Sequence, residues 1–203
     1  MLGIRCKQIK KYKATTDSSN TLPVADNLIN QNFAVSTPNK IWTSDITYIP
    51  TEEGWLYLAT HKDLFNGEII GYAIGSRIIK ELTIQSLLMT MRRRQPKKGV
   101  IHHSDRGSQY CSHEYGNMLN RFCIIPSMSR KGNCYDNAPM ESFFGTLKNE
   151  LVYQKKYNTR SEAIKDITEY IEIFYNRERI QAKLGYLSTA KYMKQYYEMR
   201  CAS

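Results

Sequence analysis

No run of about 18 apolar residues, the least that crosses a bilayer as a helix, occurs in the 203 residues. The opening Met-Leu-Gly-Ile-Arg-Cys-Lys is too polar for a secretory signal. No membrane association and a cytoplasmic location are therefore expected. Cysteine is sparse, with five residues at 6, 111, 123, 134 and 201. The number is odd, no Cys-x-x-Cys pair occurs, and no His/Cys set has zinc-finger spacing. His102, His103 and Cys111 are the nearest approach to one, and reduced thiols are the expectation. Internal repeats and low-complexity tracts are absent, which removes solenoid and fibrous architectures. Acidic residues are in deficit, 19 against 29 lysines and arginines, for a net charge of +10. That balance suits a polyanionic partner, nucleic acid before others. At 41% hydrophobic, the chain has the means to bury a core.

Residues 1–35 read as a basic tail or linker. Four lysines fall between Lys7 and Lys13, Thr15–Asn20 is polar and turn-rich, and Asp26–Asn32 resembles a short helix or linker. From residue 41 the texture changes to β-branched and aromatic. Ile41–Pro50, Gly54–His61 and Gly67–Gly75 read as strands joined by hairpin-length gaps. A helix is expected over Glu81–Arg93, with Leu82, Leu87, Leu88 and Met91 on one side. Gly99–His103 reads as a short buried strand, Ser112 as the N-cap of a helix through Phe122, and Cys123–Met128 as a further strand. Ser129–Asn137 lacks periodicity and reads as a mobile basic loop. Another helix follows from about Asp136 to Leu151, striped by Met140, Phe144, Leu147 and Leu151. Thr159 and Glu162 form a capping box before a helix with apolar positions at 163, 164, 167, 171 and 174. The order predicts an α/β fold, a mixed sheet with helices packed on it.

Three acids stand out by their settings. Asp45 falls inside a strand that otherwise reads as core, where a carboxylate is unusual. Asp105 follows a short apolar strand, and ligand sites gather at the carboxyl ends of parallel strands. Glu141 borders the apolar stripe of its helix. Taken singly, each has a plain alternative: an edge residue, a cap ahead of Gly107, and an exposed helix residue. Together on one surface they would repel one another unless protonated or neutralised by cations. Hard oxygen donors select Mg²⁺ or Mn²⁺. Two such ions would clamp an in-line phosphoryl displacement. Lys148, seven residues beyond Glu141, shares its helix face and is placed to meet a phosphate.

The words around these acids carry a resemblance. They are Trp42-Thr-Ser-Asp-Ile-Thr-Tyr-Ile-Pro50, Gly54-Trp-Leu-Tyr57, His103-Ser-Asp-Arg-Gly-Ser-Gln-Tyr110 and Ser129-Arg-Lys-Gly-Asn-Cys-Tyr-Asp-Asn-Ala138. Phe143-Phe-Gly-Thr-Leu-Lys148, Tyr175-Asn-Arg-Glu-Arg-Ile-Gln181 and Leu184-Gly-Tyr-Leu187 continue it, and 35 residues separate Asp105 from Glu141. Over roughly residues 25 to 195 the chain resembles the DDE transposases and integrases of bacterial insertion sequences, in particular the catalytic subunit from their second reading frame. The match departs slightly at Ala59–Gly67, near His61 and Asn66.

The resemblance implies a ribonuclease-H-like core at 36–155, with a five-stranded mixed sheet, and a helical C-terminal extension at 156–203. It implies metal-dependent nicking at element ends and attack of the freed 3′-hydroxyl on target DNA, with two Mg²⁺ or Mn²⁺ ions on Asp45, Asp105 and Glu141. The implied partners are element-end and target DNA and further copies of the chain, in association with the nucleoid. Little of the family's helix-turn-helix region is visible in residues 1–35, so end recognition is expected from a helix-turn-helix protein or fusion partner of the upstream frame. Arg130 and Lys131, in the loop before Glu141, are expected to contact DNA. Arg106 and Gln109 read equally as DNA contacts or as capping and salt-bridging residues. Arg92, Arg93 and Arg94, followed by Lys97 and Lys98, read equally as a phosphate-tracking run or a solvated face. Asp63 also matches an acidic position of the family but reads first as a turn residue. His102 and His103 read as structural, with a role near the scissile phosphate as the alternative for His103.

Overall fold

The computed structural model describes residues 22–201; the lysine-rich stretch at 7–13 lies outside them. Five strands form one sheet in the order β3-β2-β1-β4-β5. They are β1 (Ile41–Thr51), β2 (Gly54–Asp63), β3 (Ile69–Gly75), β4 (Ile101–Ser104) and β5 (Ile125–Met128). The first three pair antiparallel, while β4 runs parallel to both β1 and β5. The β1–β2 turn closes where Thr51 Oγ1 donates to the Gly54 carbonyl at 2.6 Å. Gly54 itself takes φ +101, which only glycine adopts without strain.

Helices cover both faces, so β1 and β2 are buried on each side and their side chains divide between two cores. On one face Ile49, Leu56, Leu58 and Ile69 meet Met140, Phe143, Phe144 and Leu147 of α3 (Ala138–Glu150) and Ala163 and Ile167 of α4 (Arg160–Glu169). On the other, Trp42, Ile46, Ala59 and Ile70 meet α1 (Lys80–Arg94) and α2 (His113–Arg121). A π-helical segment, Tyr170–Glu178, prolongs α4, and α5 (Thr189–Cys201) completes the described chain. The approach of α1 to β3 depends on Gly71. A Cβ there would stand 2.1 Å from Thr90 Oγ1 and 2.7 Å from the Ser86 carbonyl oxygen.

Ser112 caps α2 as expected, accepting from the Tyr115 N–H. Thr159 caps α4, but Glu162 reaches back to the Asn158 N–H rather than to that of Thr159. Two local expectations need correction, and a third resolves between its two readings. Asp26–Asn32 is a linker rather than a helix, with Asn30 and Gln31 at φ of 49 and 62, outside helical space. It forms a strap whose Ile29 is buried. The loop before Glu141 is not without structure either. It holds a 3₁₀ turn over Cys134–Asn137, and Asp136 within it is fully buried. Along α4 and the π segment, Ala163, Ile167 and Ile171 are buried, whereas Ile164 and Phe174 of the same expected stripe are exposed.

Candidate active site

Register explains how two of the acids come together. Parallel pairing of β1 with β4 ends at Thr43 opposite His103. Asp45 and Asp105 each follow two residues later, one pleat period on. They stand side by side where the strands part, at the carboxyl end of the parallel pair. Asp45 is opposite Thr60 on its other side. Asn137, at α3's N-terminus, ties the helix to β1, its Nδ2 donating to the Ser44 carbonyl at 3.2 Å. Beneath it, the Ser44 hydroxyl and the buried Tyr110 hydroxyl lie 2.8 Å apart.

Glu141 arrives in the first turn of α3, where the helix dipole favours a carboxylate. Burial pushes the Asp45 carboxyl well above its ordinary range; the Asp105 and Glu141 carboxylates push the same way. The Ile46 N–H, 2.7 Å from Asp45 Oδ1, and Lys148 oppose the rise. Desolvation raises Glu141 as well, though it lies at the surface. Asp105 Oδ1 accepts from the Gly107 N–H at 3.0 Å, which turns the chain after β4. The three acids thus share one electrostatic neighbourhood. Among the described residues, however, no three His, Cys, Asp or Glu side chains stand close enough to form a ready-made metal cage. Lys148 is on the same flank, half-buried, its ammonium 4.4 Å from the centre of the Tyr48 ring. Burial lowers its pKa, and Asp45 counters that.

The other candidates divide. Arg106 Nε donates to the Ser129 carbonyl at 2.7 Å, and Gln109 Nε2 to that of Ile78 at 3.4 Å. Arg130 is a structural partner first, since its guanidinium and N–H bind the buried Asp136 carboxylate. Lys131 is exposed beside it. Arg92, Arg93 and Arg94 end α1, next to the start of β3. By register the start of β3 is level with Lys62 and Thr43, so that run lies at the β3 edge of the sheet, two strands across from the acids. There Arg93 pairs with Glu172, and Arg94 with Glu68. Asp63 ends β2 opposite Trp42, accepting from the Asn39 and Phe65 N–H groups, as a turn residue does. His103 is buried between the Ser127 and Ser129 hydroxyls, and burial lowers its pKa to about 4, which keeps it neutral. His61 and His102 share a buried cluster with Tyr115 and Ser86, a network the sequence did not suggest. Cys111 is buried, its sulfur 3.8 Å from Met128 Sδ.

Two family models, both described as integrase core domain, match residues 35–134 and 141–197. An uncharacterised 31 kDa protein of insertion element IS600 from Shigella sonnei is 54% identical over 98% of this chain and 73% of its own length. The transposase for insertion sequence element IS904 of Lactococcus lactis is 46% identical over 96% of this chain and 77% of its own. The chain belongs to the insertion-sequence transposases. Another relative of this transposase, InsF for insertion sequence IS3A of Escherichia coli, is 41% identical over 94% of this chain and 66% of its own. Solved structures show the fold. A simian T-cell lymphotropic virus intasome chain superposes with TM-score 0.62 at 18% identity, over 82% of this chain and 56% of that one. The HTLV-2 integrase catalytic core domain in complex with magnesium gives 0.57 at 17%, over 76% and 95%. The sheet and helices of this transposase core are therefore the ribonuclease-H-like architecture of retroviral integrase cores.

Proposed function

We propose that this transposase core nicks DNA at element ends and joins the freed 3′-hydroxyl to target DNA at the site formed by Asp45, Asp105 and Glu141. The observation that carries the reading is the Asp45 carboxyl, held well above its ordinary range by burial with two further carboxylates acting on it. An all-oxygen set of three acids fits two Mg²⁺ or Mn²⁺ ions, and cation binding would relieve that repulsion. When bound, the ions neutralise the charge that develops on the attacking and leaving oxygens. The chain's own groups then have definite tasks. The Ile46 and Gly107 N–H groups fix one oxygen each of Asp45 and Asp105. Glu141, exposed in its first turn, keeps the rotamer freedom to complete the set. Lys148 supports a phosphate on the same flank.

The substrates of this reading are element-end and target DNA, handled by several copies of the chain together with a helix-turn-helix partner from the upstream frame. That work belongs in the cytoplasm at the nucleoid; no helix among the described residues is long and apolar enough to cross a membrane. The test is a labelled duplex carrying the element end, incubated with the protein and Mg²⁺. Nicked and joined products that vanish without the cation and in Asp105→Asn are expected, with DNA binding in that variant unchanged or tighter. Full activity in Asp105→Asn refutes the site, and nicking that never proceeds to joined products refutes strand transfer.

A further inference from the structure

A second basic feature lies on the other flank of α3 from Glu141 and Lys148. It is a pocket of about 330 Å³, walled by Ser142 and Thr146 of α3, Lys62 of β2, and Arg179, Gln181 and Lys183 after the π segment. None of its lining side chains is acidic. Lys62 is the penultimate residue of β2. It is opposite Thr43 and two residues beyond Asp45's neighbour Thr60, hence on the same sheet face as Asp45. It is 4% exposed; its ammonium donates to the Pro139 carbonyl at 3.0 Å and lies 5.9 Å from the centre of the Phe143 ring, with no other hydrogen-bond acceptor among the described residues. Arg179 has Glu150 as its counter-ion. Lys62 and Lys183 have no ion pair of their own among the described residues. Gln181 is 8% exposed, and beyond the Tyr175 hydroxyl beside it, its Nε2 meets no hydrogen-bond partner among the described residues. A buried amide donor and a buried ammonium without a protein counter-ion are both groups that an anion would satisfy.

We propose that this pocket seats a phosphate group, bound by the Lys62 and Lys183 ammoniums and the Gln181 amide. Burial and the Lys183 and Arg179 charges hold Lys62 down to about 7, as a site shaped for an anion would before the anion arrives. Position on α3 suggests the source. Glu141 and Lys148 occupy one flank of the helix, Ser142 and Thr146 the other, so a DNA strand leaving the acids over the helix meets the pocket. In that form the inference rests on the strand-transfer reading. A free phosphate or pyrophosphate ion has the same chemistry.

The experiment uses the whole chain in the Asp105→Asn background, so that binding is read independently of cleavage. Duplex affinity is measured by anisotropy across a salt series. Thermal stability is measured with inorganic phosphate and with pyrophosphate, against chloride at equal ionic strength. If the phosphate is DNA's, Lys183→Ala and Lys62→Met each flatten the log–log salt slope by about 0.9 and weaken binding about eightfold at 0.1 M salt. If it is a free ion, DNA binding is unchanged, while phosphate or pyrophosphate stabilises the parent and not the variants. Neither effect in either variant overturns the pocket. Loss of nicking in a Lys183→Ala enzyme with an intact triad and an unchanged slope also counts against it. Failure of the parent enzyme to nick at all bears on the proposed function instead.

Discussion

Lys62→Met should make the protein more stable at neutral pH. The ammonium is buried, and a fall from 10.5 to about 7 at about 1.4 kcal/mol per pH unit corresponds to a penalty on the order of 5 kcal/mol. Folded Lys62 sheds its proton near 7 and the unfolded chain near 10.5, so between these values the unfolded state binds more protons and stability rises with pH. The penalty is fully present below 7 and gone above 10.5. Methionine keeps the length of the side chain but loses the bond to the Pro139 carbonyl, which costs roughly 1.5–3 kcal/mol for a charged donor. The net gain at pH 7 is then about 2–3 kcal/mol, reversing near pH 10.5, where the amine is neutral, to a loss of about 0.5–1.5 kcal/mol. Urea denaturation of both proteins at pH 7 and near pH 10 reads it directly, because other titrating groups cancel in the difference. A variant less stable at pH 7, by the same margin at both pH values, refutes the reasoning.

Gly71→Ala should cost about 1–3 kcal/mol by forcing α1 off β3, since the contacts a Cβ would meet include backbone atoms. Gly116→Ala in α2, which meets nothing within 4 Å, should gain about 0.5–1 kcal/mol, so paired thermal melts separate the clash from general substitution effects. Asp136→Ala should destabilise by about 1–3 kcal/mol, because the half-buried Asn27 amide and the Arg130 backbone N–H lose their acceptor. The Asp136 carboxyl is held far below its ordinary value, first by Arg130, so its contribution is present above pH ~4 and lost on acidification. The gap between wild type and variant in urea should close as pH falls, and a constant gap would contradict this account.

Much of the fold was legible because alternation and caps are local signals. β1, β2, α1 and the Ser112 cap follow from residues that are neighbours in the chain. Asp45 was conspicuous for the same reason, a carboxylate inside an apolar strand. What escaped depends on distance in sequence. Lys62 meets Arg179 and Lys183 only after the sheet and the C-terminal segment have packed, and each alone reads as a solvated cation. The run Arg92–Arg94 shows the converse, since its density was visible but not the edge of the sheet it would occupy. Asp136 looked like one more polar loop residue, because its partners Asn27 and Gln31 lie more than a hundred positions upstream.

That last arrangement gives the strap at 22–32 a mechanical meaning. Asn27 and Gln31 hold the carboxylate of Asp136, Leu28 N–H holds the Ser127 hydroxyl, and Asp136 is five residues ahead of Glu141. The strap is thus a tether with two fastenings, one on the turn that precedes Glu141 and one on β5, where Ser127 also meets His103 of β4. A load applied to it reaches the helix of the third acid and the strand that leads into Asp105 together.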